Sequence, residues 1–420
     1  MSREFPAPLV APMSLASATS SAAAWRTLAI LSFAIVLSMS TWFSATAIVP
    51  ELRQAWGLDG AEAAWLTNAV QIGFVVGALG SSLINLPDML SARTLMTIAA
   101  LAAAAANASL LIAPSGVVAI FARFVTGVTL AGIYPPALKL ISTWFVRGRG
   151  LALGCVIAAL TLGSAFPHFL RAATSALDWR LVVAGTSAMT LVGALLMARF
   201  ATEGPYSYSK AVFDPRQIGR VLSNRLVALA NIGYFGHMWE LYAMWGWFLA
   251  FARAYLEARG DDAPSASLIT FFVIASGAIG CIAGGVLADR IGRTATTALM
   301  MSVSGVCAML IGLTFHGPLW LFVALALVWG MSVIGDSAQF SAIVTEVGDP
   351  SLVGTALALQ LGIGFALTVV AIWIMPAFAD WIGGWQWAFV ILAPGPVIGT
   401  WAMLSLRRMP EATKIAQGRR

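Results

Sequence analysis

The stretch Gly285-Val286-Leu287-Ala288-Asp289-Arg290-Ile291-Gly292-Arg293-Thr294 decides how the rest of the chain is read. Its charges sit in a short turn between two long apolar runs, 267–288 and 294–315. A spanning helix needs about 20 predominantly apolar residues, and each flanking run has roughly that length. A charged turn between two such runs belongs at a membrane surface. There an Asp followed by an Arg-x-Gly-Arg turn is able to tie two neighbouring spans together.

The composition agrees. The 420-residue chain is 60% hydrophobic and only 10% charged, against roughly 25% charged in soluble domains. The apolar runs are continuous rather than alternating, which selects helices over a closed barrel. The net charge of +6 is assigned to basic loops on one side of a bilayer. No basic patch with interleaved aromatics is present, so nucleic acid is not an expected partner. Cys155, Cys281 and Cys307 all fall inside apolar runs and suggest neither a disulfide framework nor a metal site. No cofactor is expected. The chain has no Gly-x-Ser-x-Gly, no His-Glu-x-x-His and no phosphate-binding glycine loop, so it does not read as an enzyme.

Twelve spans are expected from run length, at 27–50, 62–84, 95–113, 116–138, 149–170, 179–199, 225–251, 267–288, 294–315, 317–341, 352–376 and 383–406. Residues 1–26 read as a flexible tail: Pro12 breaks the only candidate signal-peptide core. The polar stretch 200–224, with Glu203, Lys210, Asp214, Arg216 and Arg220, links two six-helix bundles, 27–199 and 225–406, and 407–420 forms a second tail. A shift of about 203 positions superposes features of the two halves. Gly127 falls on Gly330, and Gly57-Leu58-Asp59-Gly60 falls on Gly260-Asp261-Asp262-Ala263. The 285–294 turn falls near Gly80–Arg93, where Asn85, Asp88 and Arg93 remain as polar points. With both termini cytoplasmic, roughly 18 Lys and Arg lie inside and about 5 outside. The inside set includes Arg147, Arg149, Arg290, Arg293, Arg407 and Arg408.

The 285–294 turn resembles the signature loop of the major facilitator superfamily, with Asp289, Arg290, Gly292 and Arg293 as its gating residues. A second segment, Arg123 to Gly127, resembles the Arg–Gly motif of that family's fourth span. The resemblance implies an all-α membrane protein of twelve helices in two pseudo-symmetric bundles, a secondary active transporter rocking around a midplane site. It also implies that spans one, four, seven and ten line the path.

Charges within spans are costly and usually functional. His237 and Glu240, three apart in the seventh span, share a helical face and read as a protonatable pair or as a structural hydrogen-bonding pair. Asp336 and Gln339 share a face of the tenth span, either lining the cavity or anchoring helices. Arg123 is expected either to couple protons or to hold neighbouring helices. Glu240, Asp336 and Arg123 are the proton-coupling candidates. Ser38, Trp42, Tyr134, His237, Trp245 and Gln339 are the substrate-binding candidates. The hydroxyls of Ser38, Ser40, Thr41 and Ser44 also suit close helix approach. Pro135 and Pro136 are expected to bend or end the fourth span, and His168 and Arg171 to be interfacial.

The family's nitrate branch holds its anion with an Arg in the second and eighth spans, yet 62–84 and 267–288 contain no Arg or Lys. A small-anion porter is therefore the least favoured reading. The drug–proton antiporters carry a Gly-Pro motif in the fifth span that 154–167 lacks, which favours uptake over efflux. The expected function is proton-coupled uptake of a small neutral or cationic organic nutrient, with ring-containing compounds among the candidates. Proton-driven efflux of a cationic or amphipathic compound stands as the alternative. The expected partners are substrate, protons and the lipid bilayer of the cell membrane, and the expected state is a monomer.

Overall fold

The computed structural model describes residues 15–84, 86–145, 149–174, 178–206, 215–260 and 264–420. Asn85, Arg147, Lys210, Asp214 and 261–263 lie outside the described residues, as do the side chains of Asp88 and Arg149. The described chain is helical. Its first half holds α1 (Leu15–Met39), α2 (Val49–Trp56), α3 (Gly60–Leu83), α4 (Leu86–Met89), α5 (Ala92–Ala108), α6 (Gly116–Leu130), α7 (Tyr134–Ser142), α8 (Arg149–Ala173) and α9 (Arg180–Phe200). A short α10 (Ile218–Ser223) leads into the second half. That half holds α11 (Arg225–Glu257), α12 (Pro264–Ile291), α13 (Arg293–Leu310), α14 (Leu319–Gly335), α15 (Ser337–Val347), α16 (Val353–Trp381) and α17 (Pro394–Arg407).

Among the described residues, eleven helical segments are long and apolar enough to cross a membrane. The twelfth span is α11, whose apolar run is interrupted by Asn231, His237 and Glu240. Apart from the first, the spans match the apolar runs to within six residues at each end. Local chemistry sets several of them. Asp59 caps α3, its Oδ1 accepting from the Glu62 backbone N–H at 2.7 Å while the Asp59 N–H donates to Glu62 Oε2 at 3.0 Å; this reciprocal box satisfies two otherwise orphaned donors. The side chain of Asn224 caps α11, its Oδ1 accepting from the N–H groups of Leu226 and Val227 at 3.0 and 3.3 Å.

Three spans are broken, the first and tenth where the sequence suggests continuous helices and the fourth beside the prolines expected to interrupt it. The first stops at Met39, turns through 40–45 and resumes as α2. Of its hydroxyls, all expected to ease helix packing, Ser38 lies at a close approach to Gly193 of α9, while the other three turn back on the chain. Ser40 Oγ donates to the Leu37 carbonyl at 2.6 Å, Thr41 Oγ1 to Ser38 at 3.1 Å and Ser44 Oγ to Thr41 at 3.1 Å. Such local bonds compete with the helix ladder. The fourth span breaks between α6 and α7. Pro135 and Pro136 do not end α6 but sit in the first turn of α7, where a missing N–H costs nothing. The tenth breaks at Asp336, between α14 and α15.

The tails differ from expectation too. Helix α1 already begins at Leu15, inside the stretch read as flexible. Residues 410–418 form 3-10 turns broken by a kink at Ile415–Gln417, which folds the chain back so that Arg419 and Arg420 meet the signature loop. Gly292 has φ 92° and takes the carbonyls of Arg419 and Arg420 against its bare Cα; a Cβ there would be strained and blocked. The N–H of Thr294 donates to the Arg420 carbonyl at 3.4 Å.

The halves meet along α8 with α12 and along α3 with α16. The first seam runs from Gly150 and Gly285 on the signature-loop face, through Thr161 and Cys281, to Phe169 and Phe271, whose rings lie 5.2 Å apart near the opposite face. The second runs from Leu79 and Gly362 to Gly60 and Pro376. Both faces are thus closed. Within the second half the backbones touch: a Cβ on Gly284 would stand 1.8 Å from the Gly335 carbonyl oxygen.

Candidate functional site

In the first half the site is built around a break in a helix. A broken span frees carbonyls at a depth where water is scarce, and something must satisfy them. Arg123 of α6, fully buried, does so. Its Nη1 donates to the Thr41 carbonyl at 2.8 Å, to Ser44 Oγ at 3.0 Å and to Asn107 Oδ1 at 3.2 Å. Its Nη2 donates to the Trp42 carbonyl, and its Nε to Leu66 of α3 at 3.3 Å. Asn107 in turn bonds Thr186 and Ser187 of α9. Of the two roles expected for Arg123, this arrangement performs the holding of neighbouring helices.

The second half mirrors the device with different chemistry. Asp336 occupies the break of the tenth span, and its Oδ1 lies 2.9 Å from His237 Nδ1 of α11. One turn along α11, Glu240 accepts from Trp329 Nε1 of α14 at 2.8 Å. His237, Glu240 and Asp336 are all buried. The structure therefore brings these three expected residues together. The shared face of His237 and Glu240 holds α14 and its break, one partner each.

Between the two polar cores lies a cluster of rings. Trp42 stacks on Tyr242 (5.8 Å between centroids, 12° between planes) and packs on Phe74 at 4.9 Å. Trp245 meets Phe43 edge-on at 5.9 Å and Tyr242 at 5.6 Å. Trp42 and Trp245 occupy equivalent positions under the 203-residue shift, one from each half. Both are fully buried, and neither indole N–H has a partner.

Other expected site residues lie elsewhere. Ser38 faces α9, its Oγ crowding the Cα of Gly193, and does not reach the rings. Tyr134 starts α7 and packs half-buried against the core. Gln339 accepts from Arg293 Nη1 at 2.8 Å, and Arg293 also grips Glu346 at 2.8–3.1 Å. Gln339 thus belongs to the signature-loop cluster, which ties α13 to α15. Asp289 and Arg290 are exposed on that face, and the Asp289 backbone carbonyl accepts from Arg419 at 2.5 Å. His168, expected at the interface, is instead fully buried on α8. Arg171, one turn further out, binds Glu51 of α2 at 2.6 Å, and Arg253 of α11 approaches the same carboxylate at 3.9 Å. That contact joins the two halves opposite the signature loop.

Sequence reasoning missed Asn68 and Gln71. Two carboxamides three residues apart in an otherwise apolar span were the available signal. Both are fully buried on α3, on the face that Thr67, Phe74 and Leu79 turn toward α11 and α16. No atom of either carboxamide has a partner.

Two six-helix halves closed over buried rings, with an acid–imidazole cluster on one side and a charged turn at one face, define a multi-pass helical membrane protein of two related bundles. The chain belongs to the Major Facilitator Superfamily, whose profile it matches over residues 31–360 and 254–420. It is similar to a probable sulfoacetate transporter, SauU, of Cupriavidus necator: 28% identity over 197 residues, 43% of this chain and 45% of that one. It is 31% identical over 132 residues to the niacin transporter NiaP of Acinetobacter baylyi, 29% of this chain and 30% of the relative. These alignments thus span less than half the length of either relative. Among solved structures, an inward-facing, unoccupied bacterial homologue of the human lysosomal transporter Spinster superposes with a TM-score of 0.70 at 14% identity, covering 92% of this chain and 97% of that one.

Proposed function

We propose that the protein is a proton-coupled importer of a small, ring-bearing organic solute, working as a monomer by alternating access. Both termini and the signature loop lie on the cytoplasmic side of the cell membrane, as the basic loops imply. The observation that carries this reading is the buried His237–Asp336 contact at the break of the tenth span, one helical turn from Glu240. Ionisable groups inside a membrane span serve characteristically in proton relays, and histidine is the side chain whose ordinary pKa lies closest to neutrality. A proton on this cluster changes how firmly α11 holds the broken span. It thereby changes the balance between the two half-against-half arrangements, by no more than its differential affinity for them.

The ring cluster beside it supports an aromatic solute, and the niacin transporter among the relatives handles one. Glu240→Gln tests the coupling in proteoliposomes. The expected result is loss of accumulation driven by a pH gradient, with solute exchange retained. Full gradient-driven accumulation in the variant would remove Glu240 from the coupling machinery. Efflux driven by protons is the second reading, favoured by the acidic pair in the core, which suits a cationic cargo. Flux in vesicles of known orientation separates it from uptake.

A further inference from the structure

Besides the charged Glu51–Arg253 contact, six uncharged side chains on the elements that line the seam between the halves carry polar atoms with no hydrogen-bond partner. They are Asn68 and Gln71 of α3, Ser164 and His168 of α8, Trp42 at the first break, and Trp245 of α11. All are at least nine-tenths buried. A buried polar group left unpaired costs roughly 1–3 kcal/mol, so such a concentration in one place calls for a ligand. The placement on α8 is consistent. Gly163 packs on α1 and Thr161 on α12, which leaves the intervening face with Ser164 and His168 turned inward. On α3, Thr67 touches Gly246 and Phe74 touches Trp42, and Gln71 lies between them.

The charge of this set is as informative as its polarity. Arg123 is committed to carbonyls and neutral side chains, Asp336 faces His237, and Glu240 holds Trp329. The unpartnered groups are carboxamides, indoles, a hydroxyl and an imidazole. Each carboxamide offers a donor and an acceptor side by side, and the rings offer faces for stacking.

From this we infer that the occupant is an uncharged, flat heterocycle with adjacent hydrogen-bond donor and acceptor groups, a cyclic amide. Asn68 and Gln71 read its edge, and the N–H groups of Trp42 and Trp245 bond its acceptors. This rests on the transporter reading above and names the solute class for the same central site.

The test is isothermal titration of the purified full-length chain in nanodiscs with 2-pyridone, benzamide and benzoate, alongside thermal unfolding of the unliganded protein. Binding of 2-pyridone and benzamide in preference to benzoate is expected, weakened about tenfold or more by Gln71→Leu and by Asn68→Leu. The unliganded variants should melt no lower than wild type, because an unpartnered carboxamide contributes no bond to lose. The fully bonded Asn107, replaced by Leu, should melt lower and serves as the control. Benzoate binding equally well or better, amide binding that survives both substitutions, a lowered midpoint in both, or no heat from either amide at saturating concentration would each overturn the inference. Those outcomes leave proton coupling untouched, since Glu240→Gln reads the pH-gradient dependence of accumulation for a carried solute of any class.

Discussion

Replacing Arg123 by Lys keeps a positive charge in the first half and removes the planar fork. The two roles open to this residue therefore predict different results. Arg123 makes five hydrogen bonds from three nitrogens, reaching the first break, α3 and α5. A lysine ammonium has three N–H groups on one atom, so at least two of those bonds are lost. At about 1 kcal/mol for each net hydrogen bond, the loss is about 2 kcal/mol, or roughly thirtyfold in an equilibrium constant. Nη2 is the arm of the fork that reaches the Trp42 carbonyl, so its loss should centre the effect on the turn that presents the Trp42 ring. The assay is thermal unfolding in detergent together with solute affinity for Arg123→Lys. A lower midpoint and weaker affinity are expected, with pH-dependent coupling retained in whatever transport remains. A Lys variant as stable as wild type, binding solute as well, would refute the clamp. Loss of coupling with unchanged stability would assign the residue to proton transfer.

Three further substitutions probe other parts of the frame. Glu51→Gln removes the carboxylate shared by Arg171 and Arg253 and should raise amide hydrogen exchange in α2 severalfold; unchanged exchange would show that this contact does not hold the face shut. Gly284→Ala places a methyl 1.8 Å from the Gly335 carbonyl oxygen, where only backbone can yield, and should cost about 1–3 kcal/mol; a midpoint equal to wild type would contradict that packing. The Asp178 carboxyl, before α9, is held below its ordinary value of 3.8 by the Arg180 backbone N–H and then by its guanidinium. A depressed folded-state pKa contributes stability that is complete above the unfolded value and lost as pH falls through the folded one. Asp178→Asn should therefore melt below wild type at neutral pH, with the gap closing as pH falls below the ordinary value of 3.8 and through the lower folded one; a gap that stays the same down the acid limb would refute the assignment.

The span pattern was legible because about 20 apolar residues are needed for each crossing and few polar residues intrude. The breaks were not, for reasons that differ by residue. Hydroxyls such as Thr41 and Ser44 suit both close helix packing and local bonds to carbonyls, and only the backbone shows which they make. Pro135 and Pro136 did mark the interruption of the fourth span, but a proline pair reads alike at the end of one helix and the start of the next. His237 and Glu240 were visible as costly polar residues, whereas their partners Asp336 and Trp329 come from a distant helix that no local pattern specifies. Gln339 shares the periodicity of Asp336 yet is claimed by Arg293, from a helix that no local pattern pairs with it. Asn68 and Gln71 were overlooked because uncharged amides stand out less than charges in an apolar run.

The first span is two rods and a joint. Its outer rod, α2, is eight residues long and bears Glu51 at one end of the seam, while the joint at 40–48 is pinned from behind by Arg123. A single stiff rod would carry every tilt of its outer end to the Trp42 ring at full amplitude. A pinned joint lets the outer rod swing while the ring stays seated. The closure at Glu51 then works as a shutter, lifting without disturbing what lies beneath it. Straightening the joint would weld shutter and seat together, and neither could then move alone.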